Sequence, residues 1–447
     1  MKIFNIIFLP IIALSFFAGC EEKSSNYENL VAEISKPEKA ENIELSKSKI
    51  DWTNQYGTEK YDEPLAITVN TNGNIYTTGH TWGELENNKN IGEYDIFVTQ
   101  FDNTGKKLWT KVFGTPLGDQ ANAITNDTNG NIYLTGSTMG EFKKNSHIGK
   151  EDVLLIKLDK QGEKLWIKQY GSSSNDRANA IASDTNGNIY LAGYSEGSMP
   201  SNNNLGKTDI FITKFDSKGN LLWTKQIGTP SVDVAHGISI DENNNIYVVG
   251  RTDGSINGYK NKGSYDIVVV KLNKDGEQIW IQQYGTNGLD SANAVSSSDL
   301  DNIYLTGFTS GSFERNTNMG LNDIFISKLD KSGSIIWTNQ YGTSEMEQAN
   351  SITNIVDGHF YIAGKTAGNL DDNSKLGITD MFISKFHKNG KKLWTTQYGT
   401  PTLDKINGIF SDSKGKTYIA GRTFGNYDTY KNKGKSDIII QKLSNEL

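Results

Sequence analysis

The sequence predicts an all-β fold assembled from tandem copies of one unit, and three observations carry that reading. The phrase "LWTKVFGTP" at Leu108 returns as "LWIKQYGSS", "LLWTKQIGTP", "IWIQQYGTN", "IIWTNQYGT" and "LWTTQYGTP". It places Trp52, Trp109, Trp166, Trp223, Trp280, Trp337 and Trp394 at intervals of 57 residues. Between tryptophans the chain alternates short β-branched and aromatic runs with turn residues. Composition agrees, since 45 glycines, 7 prolines and 10% aromatic residues suit a turn-rich β protein.

The chain opens with a segment of another kind. Lys2 precedes the apolar run "IFNIIFLPIIALSFFAG", which ends at Phe17, Ala18, Gly19 and Cys20. A positive start, an apolar middle and small residues at the end describe an export signal over residues 1–19. Small residues directly before a cysteine resemble the lipobox of bacterial lipoproteins, which implies that Cys20 is lipidated and becomes the mature N-terminus. Phe17 departs from the leucine usual in that motif. The alternative is an uncleaved anchor or a soluble secreted protein. Cys20 is the single cysteine, so the exported domain has no internal disulfide and must rely on its core. Residues 20–48 read as the lipidated cysteine and a flexible, charged tether. As a coil it would reach on the order of 30 Å from the membrane.

Residues 49–447 hold the repeats. In one copy "QANAITND" forms a first strand, "TNG" turns it and "NIYLTGST" returns. A longer loop, "MGEFKKNSHIGKE", leads to "DVLLIKLD", the turn "KQG" and the outer strand "EKLWIKQYG". The D/N-x-x-G turns supply the positive-φ glycine of a tight hairpin. Four strands per copy in tandem predict a β-propeller with each copy a blade, the strands being too short and too β-branched for helices. The units resemble the bacterial SBBP β-propeller repeat, whose pattern runs W-x-x-Q-[YF]-G-T, G-N-I-Y-[LV]-x-G and D-[IV]-F-[IV]-x-K-[LF]-D. The resemblance covers residues 49–443 and implies a propeller fold without implying one activity.

The inner strands occur seven times, through Tyr76, Tyr133, Tyr190, Tyr247, Tyr304, Tyr361 and Tyr418. The first tryptophan strand, "KIDWTNQYG", precedes all of them, and the chain ends before an eighth. The N-terminal strand must therefore complete the last blade and close a seven-bladed ring. Each tryptophan is expected in the seam between blades. Full burial of one would remove roughly 150 to 250 Å² from water, worth about 4 to 6 kcal/mol as an upper bound.

A formal charge of −7 and a pI near 5.4 exclude nucleic acid as the main partner, because phosphate binding needs a cationic surface. No EF-hand loop, zinc spacing, P-loop, dinucleotide fingerprint or G-x-S-x-G elbow appears, so neither cofactor nor metal is called for. Two acidic rings recur. Asp95, Asp152, Asp209, Asp266, Asp323, Asp380 and Asp437 open the third strands, while Asp62, Asp119, Asp176, Asp233, Asp290, Glu347 and Asp404 begin the innermost ones. Sevenfold repetition favours loop-fixing carboxylates over a single cation site near the channel.

The long loop and the link between blades fall on one face, the usual place for binding on a rigid scaffold. A specific ligand must read what differs between copies there. The candidates are Trp82, Arg251, Tyr259, Arg422, Phe424 and Tyr430, with "YKNKG" shared after the two tyrosines and Asn88, Asn145, Asn202, Asn316 and Asn373 in their place elsewhere. These observations describe a lipid-anchored, extracytoplasmic propeller in the bacterial envelope, at the outer membrane or cell surface. Its monomeric head would bind a protein or glycan. The alternatives are a propeller enzyme acting on glycans, as hydrolase or lyase, and a structural part of an envelope complex.

Overall fold

The computed structural model describes residues 50–144, 146–298, 302–355 and 358–444. The export signal, Cys20, the tether and Asn145 lie outside the described residues. Within them, 28 strands form seven four-stranded antiparallel sheets. Strand β1 (Ile50–Tyr56) comes first, and blade 1 follows as β2 (Asp62–Val69), β3 (Ile75–Thr81), β4 (Asp95–Phe101) and β5 (Lys107–Phe113). Blades 2 to 6 repeat that order. The first strands of neighbouring blades pack together around the axis.

Blade 7 takes strands Asp404–Ser411, Thr417–Thr423 and Asp437–Leu443 from the C-terminus and β1 from the N-terminus. Ile50 pairs with Leu443 and Tyr56 with Ile438. The ring is closed as one strand plus three, which leaves no blade with a missing outer strand.

The hairpin turns follow from local chemistry. Asp102 Oδ1 accepts from the amides of Thr104 at 2.9 Å and Lys106 at 3.0 Å, and Gly105 then turns the chain at φ +86°. In blade 4 Asn244 takes the glycine's place at φ 60°, as asparagine tolerates the left-handed region.

Seven apolar clusters each draw on two adjacent blades. One joins Tyr76, Ile96 and Val98 of blade 1 to Ile132, Leu134 and Leu154 of blade 2. Trp109 lies beside Tyr76 of its own blade, ring centroids 6.2 Å apart, and against Gly162 in the outer turn of the next blade, where a side chain would strike the indole. Trp52 repeats both contacts with Tyr418 and Gly105, so β1 makes the same seam as the other outer strands. The tryptophans do occupy seams, but each is half-buried, because the fourth strand is the outer edge of its blade. Each therefore contributes less than full burial would give.

Inside the ring the innermost strand carries a bulge in every blade, as between Ala121 and Ala123. An asparagine usually fills it and donates to the next blade. Asn122 reaches Ala178 O at 2.8 Å, Asn350 reaches Ile406 O at 2.7 Å and Asn407 reaches Pro64 O at 2.7 Å. Leu65 in blade 1 and His236 in blade 4 interrupt this girdle.

Candidate functional site

Antiparallel order puts the D/N-x-x-G hairpins on one face and the long loops and inter-blade links on the other. Loop and link are fastened by the acidic rings. Asp95 accepts from the amides of Ile91 at 2.5 Å and Gly92 at 3.2 Å. Asp62 accepts from Thr58 N and Oγ1 in the link, at 2.5 and 2.8 Å, and from Thr81 Oγ1 at 2.5 Å. Five outer-strand glutamines clamp the third-strand carboxylates, as Gln226 does to Asp209 at 2.9 Å and Gln397 to Asp380 at 2.7 Å. Gln55 on β1 does the same to Asp437 at 2.9 Å.

At every junction a third-strand carboxylate lies against the glycine that ends the tryptophan phrase, and at five of the seven the innermost ring's carboxylate does too; Gly57 sits between Asp437 and Asp62, with no room for a Cβ. Burial raises the innermost ring's pKa values, to about 6 for Asp62 and about 7 for Asp404, and the neighbouring carboxylate adds to the rise. Both rings are fully or almost fully buried, so their chemistry is turned inward to the loops. Among the described residues no group of three or more histidine, cysteine or acidic side chains is placed to hold a metal.

The long-loop face breaks symmetry at the junction of blades 7 and 1. Phe424, Tyr61, Trp82 and Tyr94 form an aromatic ladder, with centroids 6.3 Å apart for Phe424 and Tyr61, 6.2 Å for Tyr61 and Trp82, and 5.1 Å for Trp82 and Tyr94. His80 continues it at 5.6 Å from Tyr94. Trp82 is 37% exposed, and it is the one outlying indole of the eight. Cations flank the ladder: the Arg422 guanidinium lies 5.2 Å from the Phe424 centroid and Lys435 Nζ 4.7 Å from that of Tyr61.

Beneath it, Glu63 is bound by Arg422, by Lys405 Nζ at 2.6 Å and by Asn407 Nδ2 at 3.2 Å. Burial opposes the charge on Glu63, but Arg422 and then Lys405 outweigh it and hold the carboxyl well below its ordinary range. Burial pushes Lys405 down to about 8 and His80 down to about 4. Lys365 of blade 6 is lowered by burial and then by Arg422. Three cations thus surround one carboxylate at the channel mouth, leaving positive charge beside the aromatic rings.

Of the residues singled out by sequence, the structure brings together Trp82, Phe424 and Arg422. Arg251 lies in blade 4 with its guanidinium 4.6 Å from the Tyr265 centroid. The two loop tyrosines are tied to outer strands: Tyr259 OH donates to Gln282 Oε1 at 2.6 Å and Tyr430 OH to Thr53 O at 2.7 Å. Asn88 makes the equivalent bond to Thr110 O at 3.2 Å, so Tyr430 does the asparagine's work with a longer side chain. That anchoring places both tyrosines at the outer rim of their blades. Tyr61 and Tyr94 were missed. Their signal was available in the link and before the third strand, where other copies have Gly118, Asn175 and Met346, or Glu151, Thr208 and Asn322.

Fold and face together define a seven-bladed β-propeller repeat protein whose long-loop face is unequal around the ring. Residues 51–86, 108–143, 165–198 and 222–257 match the SBBP β-propeller repeat, four copies along the chain that are consistent with an SBBP-type repeat family. It is also similar to an uncharacterized WD repeat-containing protein of Acanthamoeba polyphaga mimivirus, 23% identical over 328 residues, spanning 54% of this chain and 24% of the relative. The regulatory protein FlaEY of Caulobacter vibrioides is 23% identical over 394 residues, 76% of this chain and 40% of that protein. The chain thus spans less than half the length of either relative. Among solved structures, an ulvan lyase bound to a glucuronate–sulfated rhamnose disaccharide aligns with a TM-score of 0.50 at 11% identity, over 87% of this chain and 95% of that one. That likeness concerns the fold.

Proposed function

We propose that this protein is a lipid-anchored, extracytoplasmic binding module that presents its long-loop face to a protein or glycan of the bacterial envelope. The aromatic ladder Phe424–Tyr61–Trp82–Tyr94 beside Arg422 is the observation that supports it. Exposed aromatic rings with adjacent cations on a rigid scaffold make binding anchors, for they supply contact area at small conformational cost. The tether and Cys20 would hold this face away from lipid headgroups at the outer membrane or cell surface. The reading as a glycan hydrolase or lyase draws no support from the acidic rings, whose buried carboxylates already fix loops.

The test is retention of the purified head, residues 49–447, on peptidoglycan sacculi, lipopolysaccharide and outer-membrane vesicles. One of these should retain it, and W82A/F424A should weaken retention about tenfold or more. A head that none of them retains, or a variant retained like the parent, overturns the reading. Cys20→Ser should abolish palmitate incorporation and membrane partitioning of the full chain while leaving the head folded.

A further inference from the structure

On the hairpin face every blade presents a row of three side chains toward the next blade: a second-strand tyrosine, a third-strand residue and the outer tryptophan. In six blades the middle residue is lysine: Lys157, Lys214, Lys271, Lys328, Lys385 and Lys442. Five of these lie over the tyrosine of their own blade, with Nζ 5.0 to 5.6 Å from the ring centroid. Lys157 and Lys214 also cross the seam, donating to Ser217 O and Lys274 O in the next blade's outer turn, each at 2.9 Å. The tyrosine donates in turn to a turn aspartate, Tyr133 to Asp127 and Tyr190 to Asp184, both at 3.1 Å. Lysine, tyrosine and aspartate together plug the seam.

Blade 1 lacks this plug. Gln100 stands where the other copies have lysine, and Asn70 where blades 2, 3, 4 and 7 have aspartate. The two changes are matched in charge, one cation and one anion having become two amides. Gln100 is too short to cross. Its Nε2 reaches back to Tyr76 OH at 2.8 Å, and Asn70 Nδ2 reaches the same oxygen at 3.2 Å. The girdle is also broken at this seam, because Leu65 has no amide to offer blade 2. Where the lysine would lie, a cleft of about 690 Å³ opens between blades 1 and 2. Its lining includes Trp109, Lys160 and the amides of Asn70, Asn72, Gln100, Asn129 and Gln161.

We infer that this cleft is a binding site for a neutral pyranose, a single sugar or the terminal unit of a glycan. Its volume falls within the range of small-molecule sites, roughly 300 to 1,000 Å³. Amide side chains offer donor and acceptor together, which matches the paired hydroxyls of a sugar, and a half-buried indole gives a flat apolar surface for its C–H face. The loss of lysine and aspartate in the same blade leaves the exposed Lys160 as the one charged residue of a lining otherwise made of amides, hydroxyls and apolar groups. The site lies on the face opposite the aromatic ladder and stands independently of the function proposed for that ladder.

Saturation-transfer NMR on the purified head tests it, with methyl glucoside, galactoside, mannoside and N-acetylglucosaminide in both anomers, and glucuronate for comparison. At least one neutral glycoside should receive saturation. N70D/Q100K restores the plug that other blades carry, so it should fold with an unchanged or higher melting temperature and weaken binding at least tenfold. W109A should also abolish the signal, while W82A on the far face should leave it intact. The inference fails if no neutral glycoside receives saturation, if only glucuronate does, if N70D/Q100K binds like the parent, or if W82A removes the signal.

Discussion

The junction between blades 7 and 1 and the junction between blades 2 and 3 share one framework and carry different surfaces. In each, a glycine lies between two buried carboxylates, and threonine or serine hydroxyls hold the inner one: Thr58 on Asp62 at 2.8 Å, Ser172 on Asp176 at 2.9 Å. The framework is unaffected by the fact that at the first junction β1 comes from the opposite end of the chain. Above it the residues diverge. Phe424, Tyr61, Trp82 and Tyr94 at one junction correspond to Met139, Asn175, Glu196 and Thr208 at the other, where Asn175 simply bonds Glu196 at 2.7 Å. Positions common to all copies hold the ring, and the departures give it distinct surfaces.

The largest effect should come from breaking the framework where it closes. Deleting residues 49–57 removes the β1 ladder, the Trp52 seam and the Gln55 clamp, and exposes the edge Asp437–Leu443. The truncated head should aggregate or melt at least about 10 °C below the parent in calorimetry, whereas deleting residues 21–40 should change melting by less than about 1 °C. Equal melting of the two truncations would refute the assignment of β1 to blade 7.

Next in size is Glu63→Gln, which strands Arg422 and Lys405 without their shared carboxylate and should cost about 3 kcal/mol in urea unfolding. The matching change at the other junction, Glu151→Gln, strands only Arg177, which Glu151 binds at 2.7 Å, and should cost about half as much. Similar costs for the two would mean that the extra cation at the 7/1 junction adds nothing.

A smaller effect is a pH dependence. Asp404 binds its proton at about 7 when folded, against an ordinary 3.8, so its contribution is full below pH 4 and is lost as pH rises through 7. Between pH 6 and pH 8 the parent should therefore lose about 1 kcal/mol relative to Asp404→Asn measured over the same window. His80, His236 and Lys405, all lowered by burial, work the other way within the same window, so the difference between parent and variant isolates the carboxylate. Parallel profiles for the parent and Asp404→Asn would contradict the raised Asp404.

Fold and closure were legible because a 57-residue period repeats the same hydrophobic, turn and tryptophan positions, and a strand without partners at one end must pair at the other. The role of the acidic rings was legible for the same reason. The ladder was legible only in part. Trp82 and Phe424 stood out as aromatic exceptions, but Tyr61 and Tyr94 joined them through the ring's curvature, which brings link and loop together in a way that spacing does not record. Tyr259 and Tyr430 looked like exposed anchors until their hydroxyls were found bonded to outer strands. The gap at Gln100 was invisible because the partner of the lysine it replaces, as in Lys157, is a turn carbonyl sixty residues on, a backbone atom of the next blade.

The most direct measurement grafts one junction onto the other: Tyr61→Asn, Trp82→Glu, Tyr94→Thr and Phe424→Met in a single head, each the residue blades 2 and 3 already carry. Melting and retention on sacculi, lipopolysaccharide and outer-membrane vesicles are then compared with the parent. If repeated positions hold the ring and departures carry binding, the graft melts within about 5 °C of the parent and loses at least tenfold in retention. A graft that unfolds, or one retained as the parent is, contradicts that division.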